Sequence, residues 1–198
     1  MEESIWIKGR SFYTLEKCDF IKKKVILYDL NDNSISKDLT GNYNTQRNYK
    51  PIIFSKLKRL DETIELIKKD NLYYPAEDEI HIRENTYIPK NLDIIFKKNT
   101  IIYFHNDAIL FSEANLNFIG TKKNPVKILG YKNQNGSLVH LNGNFKSENL
   151  VVDNLSFPKL PQFILYSGVN LINSKNIIKN TLISNSSSED AINIIDSK

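Results

Sequence analysis

The sequence predicts an all-β fold: a right-handed, single-stranded parallel β-helix over residues 80–198, preceded by a small mixed α/β region over residues 1–79. Three observations carry that reading. The stretch Ser167 to Lys198 consists of short apolar strands separated by Asn and Ser, without a helical period. Its first unit, Val169-Asn170-Leu171, returns as Ala191-Ile192-Asn193-Ile194-Ile195, 22 residues on. Strands returning at a spacing of about 20 residues point to stacked coils. Finally, the two-residue Asn-Gly signals that a hairpin meander needs occur only at Asn135-Gly136 and Asn142-Gly143.

Taken in order, Ser4 to Ile7, Phe12 to Leu15 and Val25 to Leu30 read as short strands. Asn31-Asp32-Asn33 makes a turn into Ser34 to Leu39, because Asn and Asp tolerate the left-handed conformation. Gly41 to Lys50 is a polar loop and Pro51 to Leu57 a strand. Leu60 to Asn71 is expected to be a helix. Leu60, Ile64 and Ile67 fall on one stripe, with Asp61 and Glu62 at the start and Lys68 and Lys69 at the end, matching the helix dipole. Such a helix would cover the open first coil of a solenoid.

From Glu79 the texture changes. Ile80 to Ile82, Tyr87-Ile88, Leu92 to Phe96, Ile101 to Phe104, Ala108 to Phe111, Leu116 to Ile119 and Val126 to Leu129 follow closely. Leu138 to Leu141, Leu150 to Val152 and Ile164 to Tyr166 complete the series. These runs are too short for helices and are bounded by Asn, Lys, Gly or Pro. In stacked coils each strand satisfies its backbone through the coils on either side. Turn Asn residues can ladder along the axis, with Asn173, Asn180 and Asn185 as candidates. The right-handed sense follows from the general handedness of parallel crossovers.

Composition narrows the function classes. The 198 residues carry a net charge of +4, divided equally between residues 1–99 and 100–198. No basic arm marks a nucleic-acid binder. Cys18 is the single cysteine, so no disulfide or Cys-rich metal framework forms within the chain. No apolar run reaches the length of a membrane span, and the N-terminus shows no signal peptide.

Four runs follow in a set order: YIPKNLDIIFKKNTIIYF (Tyr87 to Phe104), FIGTKKNPVKILG (Phe118 to Gly130), SGVNLINS (Ser167 to Ser174) and SEDAINIIDS (Ser188 to Ser197). They resemble, in turn, the opening pattern, the following coil and two later coils of bacterial right-handed β-helix proteins of the pectin-lyase-like type, of the kind associated with CotH-kinase-like (spore-coat-type) domains. The resemblance spans Ile80 to Lys198. It implies a β-helix and a cell-envelope or extracellular setting. Asn99-Thr100 stands where those proteins carry Gly-Thr, and Asn also tolerates positive φ. In them the helix continues past this coil. The strand Ala191 to Ile195 ends without a cover, so we expect a truncated helix, or a last coil that meets a continuing chain or a protein partner.

The candidate chemistry is sparse. Glu189-Asp190 is the paired carboxylate that glycosidase chemistry asks for, since one group must donate a proton and another activate water or attack. Asp153 and Asp196 are the nearest third carboxylates. A lyase would need Ca²⁺ ligands and a basic residue. No Arg lies beyond Arg83, leaving Lys146, Lys159 and Lys175. Stacked His81, His105 and His140 could hold a metal. Tyr103, Phe104, Phe111, Phe118, Tyr131, Phe145, Phe157, Phe163 and Tyr166 could include a sugar-stacking row. Phe157 to Pro161 reads as an insertion that could wall a cleft. The expectation is a non-catalytic module, structural or presenting a carbohydrate or other ligand. The alternative is a pectin-lyase-like enzyme using Glu189 and Asp190. No cofactor is expected, Ca²⁺ entering only in the lyase case; the expected partner is a polysaccharide.

Overall fold

The computed structural model describes residues 24–28, 34–38 and 55 by their backbone, and residues 54, 56–159 and 165–198 in full. Met1–Pro51 and Ile52–Lys198 are two compact units. In the first, β1 (Lys24–Tyr28) pairs antiparallel with β2 (Ser34–Asp38), as the Asn-Asp-Asn turn predicts. The strands expected at Ser4 to Ile7 and Phe12 to Leu15, and the loop Gly41 to Lys50, lie outside the described residues.

The second unit is a parallel β-solenoid. Each coil gives one strand to each of three sheets. Sheet one stacks β3 (Lys58–Arg59), β7 (Thr86–Ile88), β10 (Ala108–Ser112), β13 (Gly136–Leu141), β16 (Ser167–Ile172) and β19 (Asp190–Ile195). Sheet two stacks β4 (Leu66–Lys69), β5 (Leu72–Pro75), β8 (Ile94–Lys97), β11 (Leu116–Ile119), β14 (Asn144–Glu148) and β17 (Lys175–Lys179). Sheet three stacks β6 (Glu79–Ile82), β9 (Ile101–Phe104), β12 (Val126–Gly130), β15 (Leu150–Asp153) and β18 (Leu182–Ser184). Every pairing in sheets one and three is parallel; sheet two is parallel except for β4–β5.

Register turns the alternation of each strand into columns. Ile80, Ile102, Ile128, Val152 and Ile183 stand opposite one another from coil to coil in sheet three. Leu110, Leu138, Val169 and Ile192 do the same in sheet one. In sheet two, Phe96 stacks on Phe118 at 4.9 Å and 9°. Fully burying each such side chain contributes about 1.5–3 kcal/mol. Gly136 stands where the chain passes closest to Phe104: a Cβ there would lie 2.3 Å from that side chain. A second, smaller core lies on the outside of sheet one, where Ile109, Phe111, Val139 and Leu165 are buried with Phe54, Leu57 and Tyr87 packed on them.

The predicted helix over Leu60 to Asn71 is not formed. Only Leu60–Glu62 makes a 3-10 turn, and β4 and β5 then form an antiparallel hairpin at the end of sheet two. Asp70 and Asn71 have φ of 51° and 65°, the left-handed pair of a tight two-residue hairpin turn. Ile67, placed on the buried stripe, is 53% exposed. The strand expected at Pro51 to Leu57 is, in its described part, a 3-10 turn, Phe54–Lys56. Its three-residue period sets Phe54 and Leu57 side by side on the outer core. The strand β14 escaped the sequence reading because Asn-Phe-Lys-Ser-Glu offers one apolar residue; Ser147 fills the other inward position and meets the Thr181 hydroxyl at 3.0 Å. Tyr166 and Leu165 lie outside any strand.

The coil length also departs from a fixed 20. Leu110 pairs with Thr86, 24 residues back, whereas Val169 pairs with Leu138, 31 back. The last repeat is 23, since Val169 pairs with Ile192. The turns absorb the difference. Among the described residues, every non-glycine position with positive φ is Asn or Asp, Lys132 excepted. Asn99 is one of them at 72°, as expected. Of the predicted ladder, the Asn173 amide donates to Asn142 Oδ1 at 2.8 Å and the Asn185 amide to Asp153 Oδ1 at 2.7 Å. Asn180 shares their left-handed backbone.

Candidate functional site

A concave site forms where the chain first meets sheet one. Register places Arg59 of β3 opposite Tyr87 of β7, and Tyr87 opposite Phe111 of β10. These residues make one outward column. Phe54, carried by its 3-10 turn, stacks on Tyr87 at 4.9 Å and 16° and meets the edge of Phe111 at 5.5 Å and 62°. Glu113 follows β10, its N–H donating to the Ile88 carbonyl at 3.0 Å. Its carboxylate accepts the Tyr87 hydroxyl. Glu62 ends the 3-10 turn Leu60–Glu62, and its Oε2 accepts the Arg59 N–H at 3.2 Å. Phe54, Leu57, Arg59, Glu62, Tyr87 and Glu113 together line a cleft of about 470 Å³.

Electrostatics organise the cleft. The Arg59 guanidinium is aimed by Asp61, which takes hydrogen bonds from Nε at 2.9 Å and Nη2 at 2.7 Å. That contact raises the pKa of Arg59 and lowers that of Asp61. Burial, then the hydrogen bond to Glu113 and its charge, push the Tyr87 phenol up to about 12, with Arg59 pulling the other way. Tyr87 is therefore a neutral donor at physiological pH and no proton acceptor. The site offers two carboxylates, a guanidinium, a phenol and two stacked rings. In the sequence Phe54, Leu57 and Tyr87 stood out only as members of strands and Glu62 only as the start of the expected helix, while Arg59 and Glu113 belonged to no predicted element; Arg59, Tyr87 and Glu113 lie 26 or more residues apart pairwise.

The residues singled out from the sequence fall elsewhere. Glu189 and Asp190 are exposed, at the start of β19 as expected. The Asp190 N–H donates to the Tyr166 carbonyl at 3.2 Å, and its carbonyl accepts the Ser188 hydroxyl at 2.8 Å. Asp153 is engaged by the Ser184 hydroxyl at 2.7 Å. Among the described residues, no three His, Cys, Asp or Glu side chains gather as a metal-holding group. Lys159 forms an ion pair with Asp107 at 2.8 Å, while Lys146 and Lys175 lie on sheet two.

Of the histidines, the fold brings two together. His81 Nδ1, on β6, and Nε2 of His105, the residue after β9, stand 2.9 Å apart. His81 stacks on Tyr103 at 5.2 Å and 20°, and Tyr131 lies 4.3 Å from the His105 ring. Burial, then Arg83 and His81, lower the pKa of His105, against a hydrogen bond with the Gln134 side chain. Tyr103 and His81 each cover one face of the other. His140 is separate: it points into the solenoid from sheet one, wholly buried. Phe104, Phe111, Phe118 and Phe145 are core residues, and Phe157 is exposed in the insertion. Phe163 lies outside the described residues.

Among the described residues no helix is long and apolar enough to cross a membrane. No protein-family model, no curated protein and no solved structure matches this chain.

Proposed function

We propose that this chain is a non-catalytic β-solenoid module that presents a carbohydrate-binding cleft on sheet one. The observation that carries the reading is the cleft of about 470 Å³, with Phe54 and Tyr87 as apolar wall and Arg59, Glu62 and Glu113 as polar rim. Its size falls in the range of small-molecule sites, roughly 300–1,000 Å³, and holds one or two sugar rings. Apolar C–H faces of a pyranose pack on the rings, while its hydroxyls donate to the carboxylates and accept from the guanidinium. The scaffold holds Arg59 and Tyr87 on paired strands and Phe54 and Glu62 on 3-10 turns, so little ordering accompanies binding. The two cleft carboxylates are engaged as acceptors, Glu113 by the Tyr87 hydroxyl and Glu62 by the Arg59 N–H, and Glu189 and Asp190 line no part of this cleft, which supports a binding rather than a catalytic role.

A glycan array, followed by calorimetric titration of the best binder, tests this. Glu113→Gln and Phe54→Ala are each expected to weaken binding about tenfold or more, about 1.4 kcal/mol per decade. Glu189→Gln and Asp190→Asn should leave it unchanged. Failure to bind any glycan would overturn the carbohydrate reading, and released product from a bound polysaccharide would overturn the non-catalytic one.

A further inference from the structure

In the ring cluster on sheet three His81 is half-buried and His105 buried, and their nitrogens meet across adjacent coils. Tyr103 stands opposite His81 in register, and His105 follows Tyr103 by two residues. The two imidazoles are therefore diagonal neighbours across adjacent coils, a spacing that long side chains bridge. These nitrogens hydrogen-bond each other at 2.9 Å. A metal–imidazole bond is about 2.0–2.1 Å long, so two donors at that separation would subtend about 90° at a shared ion once each ring turns its lone pair from its partner towards the ion. That is the angle between neighbouring ligands in tetragonal coordination; a tetrahedral ion would want them roughly 3.3 Å apart.

We propose that His81 and His105 form a two-histidine site for a tetragonal divalent ion, copper(II) foremost and nickel(II) next, with His81 Nδ1 and His105 Nε2 as the ligand atoms. In the ion's absence one proton lies between these nitrogens. Binding needs both lone pairs, so that proton moves through solvent to the far nitrogen of its own ring; no net proton is lost when both rings start neutral. The surroundings keep the pair ready. Tyr103 stacked on His81 and Tyr131 against both His105 and His81 hold the rings in place. The Gln134 side chain hydrogen-bonds His105, and its Oε1 accepts the Asn106 N–H at 3.3 Å. A carbonyl behind a ligating imidazole is the usual second partner that fixes its orientation. Arg83 acts on His105 with the wrong sign for a cation, so its charge weakens the site. Among the described residues no further His, Cys, Asp or Glu completes a group of three, which leaves the other positions to water.

The test is titration of the full chain, in a Cys18→Ser background, with copper(II) supplied as its glycine complex, read by calorimetry and electron paramagnetic resonance. The expected result is one equivalent bound with hyperfine structure from two nitrogens. His81→Phe and His105→Phe keep a ring in the row and should each weaken binding more than tenfold and remove one nitrogen from the spectrum. His105→Gln serves if a Phe variant does not fold. Tyr103→Phe should change nothing, and Arg83→Gln should tighten binding. Absence of stoichiometric binding, a spectrum without two nitrogens, or affinity indifferent to both His positions would overturn the proposal.

Discussion

His140 is the residue whose surroundings fit it least. Its strand was evident in the sequence, but not that its side chain would sit inside the coil, between Ser112 and Leu171 of the flanking strands. Neither ring nitrogen makes a hydrogen bond of normal geometry there, although the Gly143 backbone lies close enough to act on the ring. A buried polar group left unpaired costs about 1–3 kcal/mol. Burial lowers the His140 pKa from its ordinary 6.5, a pull that the Gly143 backbone partly opposes. Above that ordinary value both folded and unfolded chains hold a neutral ring. As pH falls from there towards the lower folded value, only the unfolded chain takes the proton, so the native state loses stability. His140→Leu is expected to stabilise the fold by about 1 kcal/mol near neutral pH. Urea unfolding at neutral pH and one unit below 6.5 should show a shallower acid loss in the variant; His105, also lowered, keeps part of it. An unchanged pH slope would mean that His140 does not carry the effect.

At the scale of single elements, short strands survive because their turns are made by residues that accept positive φ. Asn99 between β8 and β9 and Asn149 between β14 and β15 are such points, at 72° and 51°. A β-branched residue in that conformation costs about 1–2 kcal/mol. Asn99→Val should lower stability by that amount and Asn99→Gly by no more than a few tenths, as read from denaturant midpoints. Equal losses would show that the amide side chain, rather than the backbone, holds the turn. The same chemistry explains the misread hairpin. Leu60, Ile64 and Ile67 do repeat with a helical period, but Asp70-Asn71 is itself a hairpin signal. Pairing of β5 with β8 draws the hairpin into sheet two, where extended backbone is satisfied by a neighbour.

The whole solenoid is nearly one-dimensional, each coil touching only those beside it, so stability should vary along its axis. The middle strands β10, β13 and β16 are buried along almost their whole lengths. In the last coil, by contrast, Ile177, Leu182 and Ile194 are 51%, 58% and 50% exposed. Among the strands of the solenoid, amide hydrogen exchange should therefore be fastest in β17 to β19 and slowest in β10 and β13. Uniform exchange across the coils would indicate one cooperative unit instead.

What the sequence determined by itself is what short-range chemistry controls: alternating strands, Asn and Asp turns, and the stacking of parallel coils into which they feed. The hairpin, the coil lengths of 21 to 31 residues and the outward neighbours required the tertiary structure. Inward positions announce themselves because burial demands apolar side chains at every second place. Outward positions carry no such pattern. Whether Tyr87 meets Arg59 and Glu113, or His81 meets His105, depends on the residues held in each intervening turn. A change of one in that number would move every outward partner to the opposite face.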